Sequence, residues 1–320
     1  MRVSTNLLYS QKMNGIFGAQ TKWMQHGEQL STGKRVINPS DDPLAASQNI
    51  MVAQSESQNQ QYVAARIFAK NTMSIQMDTI ASVGKVTQNV LETLVAAADE
   101  QSDHDRASYA QQLDGLKQQL LNLGNKTDGN GRYIFAGYKT DSPPLDADKN
   151  GKVHYKGGHE AITQRVDDHR SMVIAHTGQK VFLSATSNPM KEPDGSASES
   201  DIFASIDFAI EALKKPFMNA SEAEREESLA LMNKANRGVR NSLNNFSSTE
   251  AVLGLQLQEM DQLDALASER SIANKVRMGE LMDADLMSVI SSYYQEQAAL
   301  QASYKAFSDL KGMSLFEMYR

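Results

Sequence analysis

Tyr9, Ile16, Trp23 and Leu30 stand seven residues apart, and Met13, Phe17 and Met24 widen the same face into a stripe. Near the other end Leu286, Val289, Tyr293, Leu300, Phe307 and Leu310 keep a three-four spacing, interrupted by Glu296 and Ser303. Both ends therefore read as amphipathic helices, roughly Met1 to Leu30 and Leu286 to Tyr319. An isolated amphipathic helix is marginal in water, so each stripe needs a surface to cover it. Two readings meet that need: the helices close on each other, or they face neighbouring copies of the chain.

Between the ends the sequence alternates long helical patterns with stop signals. Gly33 can end the first helix in the left-handed conformation, and Pro39 turns Asn38 away from helical angles. Asp42 followed by Pro43 reads as an N-cap with proline at the first helical position. From Leu44 to about Ala98 no proline intervenes, and Met73, Ile80, Val83, Val90, Leu94 and Ala97 keep heptad spacing. Tyr109, Leu113, Leu116, Leu120 and Leu123 predict a third helix packing back on the second. Thr127 to Gly131 is a tight turn, and Arg132 to Ala136 is β-favouring, which predicts a strand. Lys152 to Lys156, Ala161 to Val166, Ser171 to Ala175 and Lys180 to Leu183 alternate with turn residues as a small β-rich insertion. Helix returns at Ser200 to Leu213, stops at Pro216, and resumes after Ser221 with Glu224 completing a capping box. Met232, Ala235, Val239, Phe246, Leu253, Met260, Leu263 and Ala267 then share one seam. The next seam positions, Arg270, Asn274 and Arg277, are polar, and the repeat restarts at Leu286 in another phase. The fold class is mainly α with a small inserted β domain, in a nested arrangement of long coiled-coil-like helices from both termini. Domains are expected at 1–43 with 277–320, at 44–137 with 195–276, and at 138–194 for the β-rich part.

Composition limits the function. A net charge of -7 provides no basic footprint for nucleic acid or anionic membrane. No apolar run is long enough to span a bilayer, and the first residues lack the apolar core of a cleaved signal. With no cysteine, disulfides and thiolate chemistry are excluded. Asp146 to Gly151 matches the start of a calcium loop, but position twelve is Gly157 instead of glutamate, so a polar turn is expected. His159-Glu160 lacks the second zincin ligand, since Thr163 occupies its place. His154, His159, His169 and His176 are expected at the surface, and Lys34-Arg35 in a solvated turn. No Gly-x-Ser-x-Gly elbow or phosphate-binding glycine loop occurs. No catalytic residue, cofactor or metal is expected.

Leu30-Ser31-Thr32-Gly33-Lys34-Arg35-Val36-Ile37-Asn38-Pro39-Ser40-Asp41-Asp42-Pro43-Leu44-Ala45-Ala46-Ser47 resembles the turn after the first helix of bacterial flagellins and their relatives. Thr127 to Tyr138 and Ala302 to Phe307 resemble the hook-filament junction branch of that family, and the ending Ser314 to Arg320 departs from a filament protein's leucine-rich tail. The resemblance covers essentially the whole chain. It implies a secreted structural component of the extracellular flagellum, exported through the flagellar type III channel with an export chaperone. It also implies a ring of about eleven copies between the preceding hook-associated protein and flagellin. Tyr9, Ile16, Phe17, Trp23, Leu30, Leu286, Val289, Tyr293, Leu300, Phe307 and Leu310 would form the assembly interface. A filament flagellin, an enzyme with its site in the β insertion, and an adhesive or antigenic outer surface are the competing readings.

Overall fold

Helix starts and stops follow local chemistry closely. In the computed structural model, which describes residues 5–99, 102–149, 151–186 and 188–312, α1 (Thr5–Thr32) ends where Gly33 adopts a φ of 69° and donates its N–H to Gln29 O at 2.8 Å. This is the left-handed stop that a side chain would strain. The Asp42 carboxylate accepts the Ala45 N–H at 3.0 Å and caps α2 (Pro43–Ala98), whose 56 residues at 1.5 Å each extend roughly 80 Å. Helix α3 (Asp103–Gly124) opens with Asp103 and Asp105 in its first turn, which favours the positive end of the helix dipole. Helix α6 (Glu222–Met282) begins with the reciprocal Ser221–Glu224 box: the Ser221 N–H donates to Glu224 Oε2 at 2.8 Å, and the Glu224 N–H to Ser221 Oγ at 3.4 Å. Helix α7 (Leu286–Gly312) follows a short break. The segments Met1 to Ser4 and Ser314 to Arg320, with Asn150 of the calcium-like turn, lie outside the described residues, as does the side chain of Leu310.

Contacts divide the chain into a terminal unit, residues up to 60 with those from 268 onward, and a central unit, residues 61–267. These boundaries differ from the expected ones at 43 and 277, because buried Glu56 on α2 accepts hydrogen bonds from Ser271 (2.7 Å) and Asn274 (3.1 Å) on α6. Asn274, one of the three polar seam positions, is thereby paired within the terminal unit.

In the central unit the expected seams are the core: Met73, Ile80, Val83, Val90, Leu94 and Ala97 of α2 are buried, with Val239, Phe246, Leu253 and Met260 of α6 and Leu113 and Leu120 of α3. Helix α5 (Ile202–Lys214), capped by Asp201, which accepts the Phe203 N–H at 2.8 Å, packs against α3. The strands form two antiparallel hairpins, β1 (Leu145–Ala147) with β2 (Val153–Tyr155), and β3 (Ile162–Asp167) with β4 (Arg170–Ala175). Their apolar residues Val153, Val166, Met172 and Ile174 belong to the same hydrophobic cluster as the helices.

Two expected strands are absent. Arg132 to Ala136 forms turns with one isolated bridge, Thr127 to Tyr133, because its carbonyls are taken by other partners than a neighbouring strand. Gln76 Nε2 donates to Ile134 O at 2.8 Å, the Gly178 N–H and the Tyr155 hydroxyl donate to Phe135 O, and the Gly158 N–H donates to Ala136 O at 2.7 Å. Lys180 to Leu183 instead lies in and just after a short helix, α4 (Gly178–Phe182), capped by Thr177. Three α6 side chains spaced four apart hold α4 and the loop after it: Asn245 donates to Lys180 O and Val181 O, Asn241 bonds both the N–H and the carbonyl of Met190, and Arg237 pairs with Glu192.

Candidate assembly surface

Within the terminal unit α1 and α7 pack on each other, and they run antiparallel. Tyr9 meets Phe307 edge to face at 5.6 Å between ring centroids, and two heptads further along Trp23 lies tilted against Tyr293, also at 5.6 Å. That register sets Ile16 level with Leu300, and Ile16 is buried while Leu300 is half-buried. Glu296, which breaks the apolar repeat, faces Lys22 at 4.0 Å. The end helices thus do close on each other, yet they cover only part of their stripes.

The pairing sorts the expected interface residues into two groups. Tyr9, Ile16, Trp23, Val289, Tyr293, Leu300 and Phe307 are buried or half-buried, whereas Phe17, Leu30 and Leu286 remain exposed. Leu310 lies in α7, with its side chain outside the described residues. The sequence reading missed a second set of exposed apolar residues, Leu7, Met287, Ile290, Tyr294 and Tyr304. Their signal was adjacency: Met287, Ile290 and Tyr294 each follow a seam residue by one position, as Phe17 and Met24 do on α1. Such neighbours widen an apolar stripe past what one partner helix can cover. Among the described residues, the Trp23 indole N–H, though buried, has no hydrogen-bond acceptor.

The flagellin-like turn has a structural task at the base of this pair. Arg35 N–H donates to Met282 O at 2.7 Å and the Ala284 N–H to Gly33 O at 2.9 Å, so the α1–α2 and α6–α7 connections are tied together. The Arg35 guanidinium donates to Leu281 O at 2.9 Å and pairs with Asp42 at 3.1 Å. Lys34 and Arg35 are both exposed, as expected of a solvated turn, and Arg35 is engaged on both sides, which leaves no anion cradle. The Ala45 N–H, and after it the Arg35 guanidinium, hold the Asp42 carboxyl below its ordinary range. Asp41 accepts the N–H groups of Ile37 and Asn38, and Val36 and Ala45 are buried beneath the turn. Hydrogen bonds, chiefly from Ser271, likewise hold the Glu56 carboxyl low.

The other motifs resolve into local structure. Of the calcium-like motif, Asp146 and Ala147 belong to β1 and Asp148, Lys149 and Gly151 follow it before β2; the Asp148 carboxylate accepts the Lys152 N–H at 2.9 Å and Lys156 pairs with Asp146. Among the described residues no three potential metal ligands gather. His154 and His159 sit near Asp148 and Gln179, and His169 is exposed. His176 departs from the surface position expected for it: it is 3% exposed, and burial, with Lys180 nearby, lowers its pKa to about 4. Its main chain is fixed there because Gln76 bonds both its N–H (3.0 Å) and its carbonyl (3.3 Å). No helix among the described residues is long and apolar enough to cross a membrane.

Comparison with known proteins follows the same lines. A profile of the bacterial flagellin N-terminal helical region matches residues 3–140. Flagellar hook-associated protein 3 of Escherichia coli (strain K12) is 52% identical over 99% of both chains, and that of Salmonella typhimurium is 50% identical over the full length of both. The fold is similar to that of a putative flagellar hook-associated protein from Vibrio parahaemolyticus, with a TM-score of 0.62 at 21% identity, covering 76% of this chain and 100% of that one. It is also similar to the flagellar junction protein FlgL from Legionella pneumophila, with a TM-score of 0.59 at 15% identity, covering 74% and 100%. The chain belongs to the flagellar hook-associated protein 3 family, structural proteins of the bacterial flagellum and not enzymes.

Proposed function

We propose that the chain is the adaptor between the flagellar hook and the filament, assembling through the apolar faces that its two end helices leave uncovered. The observation that carries this reading is the split stripe: α1 and α7 bury one face on each other while Phe17, Leu30, Leu286, Ile290 and Tyr294 stay exposed. Full burial of each such side chain is worth roughly 1.5 to 3 kcal/mol, so a few of them suffice to drive association.

In this reading the copies form a ring of about eleven, the number that the family resemblance implies. One side meets the preceding hook-associated protein, and the other presents flagellin with a template of its own kind. The chain reaches that position by type III export with a chaperone and ends outside the cell. Residues 1–43 with 277–320 would form the inner assembly layer, 44–137 with 195–276 the middle, and 138–194 the outer surface. The test is complementation of a strain lacking this protein, read as swimming halo and filament count by electron microscopy. Phe17→Asp and Ile290→Asp, on the faces left uncovered, should reduce both severely while the purified monomer keeps its central unit folded. Normal filaments from either variant would overturn the reading.

A further inference from the structure

Asparagine followed by glycine occurs three times, at Asn14, Asn130 and Asn150, the last outside the described residues. The first is inside α1, where helical backbone holds each N–H on the carbonyl four residues earlier and keeps the asparagine side chain from its successor's nitrogen. Asn130 occupies a different setting. It is exposed in the turn between Thr127 and Tyr133, and Gly131 after it has a φ of 79° with open space where a Cβ would stand. No hydrogen bond holds its side-chain amide among the described residues. The turn itself is stapled by Asp128, whose Oδ1 accepts the N–H groups of Asn130 (2.8 Å) and Arg132 (2.9 Å) while its carbonyl accepts that of Gly131 at 3.1 Å.

We propose that Asn130 is a spontaneous modification site, deamidating through attack by the main-chain nitrogen of Gly131. That nitrogen gives up its proton to water or hydroxide and bonds to Asn130 Cγ. The bond from Cγ to the side-chain nitrogen breaks, and ammonia leaves carrying the returned proton. The resulting five-membered succinimide then adds water at either of its carbonyl carbons and opens to aspartate or isoaspartate. One water is consumed, one ammonia is released, and no oxidant or reductant is required. Glycine at 131 matters because it carries no Cβ to shield the attacking nitrogen and tolerates the backbone rotation. The Asp128 carboxylate sets the rate, since by holding the N–H groups of Asn130 and Arg132 it keeps the turn closed and the Gly131 nitrogen on the main-chain carbonyl, away from Asn130 Cγ.

The product changes a defined surface. A new carboxylate appears beside Arg132 at the rim of a cleft of about 280 Å³, which Phe68, Ile75, Tyr133, Ile134, Ile162 and Ile174 line. The isoaspartate form also adds a main-chain methylene to the turn that the Thr127–Tyr133 bridge closes.

The test is peptide mapping by mass spectrometry, with isoaspartate detection, on the full chain incubated folded in mildly alkaline buffer and, in parallel, in denaturant. Folded protein should convert progressively at Asn130, Gly131→Ala should slow conversion several-fold, and Asp128→Ala should accelerate it several-fold. Asn130 remaining intact in the folded chain while it converts in denaturant would overturn the proposal, as would a Gly131→Ala variant reacting at the original rate.

Discussion

In the central unit Phe182 is enclosed by the rings of Phe135, Phe203 and Phe246 at 5.3, 6.1 and 5.7 Å, inside one continuous cluster that takes residues from helices and hairpins alike. In the terminal unit the described apolar residues that are buried are only Ile16, Val36, Ala45 and Val289. Its large exposed ones run from Leu7 to Tyr304 along α1, α2, α6 and α7. Both units use heptad-spaced helices, so periodicity does not separate them. Thickness of burial does: a helix enclosed by several others covers its stripe, whereas a helix with one partner leaves half of it wet. The first arrangement supplies stability to the chain by itself, and the second holds apolar area in reserve for other chains.

The largest effect should come from the enclosed site. Phe182→Ala should lower the stability of the central unit by about 3 to 5 kcal/mol, the usual cost of emptying a buried aromatic site, measured by denaturant unfolding. A loss below about 1 kcal/mol would mean that the contrast in burial does not carry over to energetics.

Acid should expose the next difference. His176 has a folded pKa of about 4 against about 6.5 in the unfolded chain, so below pH 6.5 only the unfolded state takes up the proton and stability falls until about pH 4. The loss approaches about 3 kcal/mol at its limit. Asp201 acts with the opposite sign. Burial raises its pKa to about 6, so the folded state binds the proton first and stability rises as pH falls from about 6 to below 4. His176→Gln should therefore make the central unit more acid-resistant than wild type, and Asp201→Asn less so, in unfolding curves between pH 7 and 4. Identical pH slopes in all three proteins would contradict this.

Gly238→Ala is expected to cost about 1 to 3 kcal/mol, because its Cβ would stand 2.1 Å from Ser205 Oγ where α5 crosses α6. A thermal melt of the monomer reads it. The smallest effect on the monomer should be that of Trp23→Ala: the half-buried ring lies in the thin terminal unit, so the main unfolding transition should move by less than about 1 kcal/mol. A shift matching that of Phe182→Ala would place the two units on one footing.

Much of this was legible from local chemistry. Gly33, Asp42-Pro43 and Ser221 with Glu224 act through backbone groups within a few residues, so their helix boundaries could be read directly. The seams of α2, α3 and α6 were equally readable, because a repeat of seven needs only the geometry of one helix. Arg132 to Ala136 and Lys180 to Leu183 misled, since β propensity reports a preference for a pleated neighbour that the fold did not provide there. His176 was misplaced because a lone histidine carries no local sign of burial; Gln76, a hundred residues away, decides it.

For the end helices, the sequence by itself determined that an apolar stripe exists on each and that something must cover it. Which residues meet, Tyr9 with Phe307 and Trp23 with Tyr293, was decided by the tertiary structure alone, through the clasp between Gly33–Val36 and Met282–Ala284 that sets the register of α1 against α7. Spacing along one helix states how wide an apolar face is. How much of that face stays open depends on the partner, its direction and its register, and those are fixed by contacts between residues some 250 positions apart, as in the bond from Arg35 to Leu281 with a separation of 246.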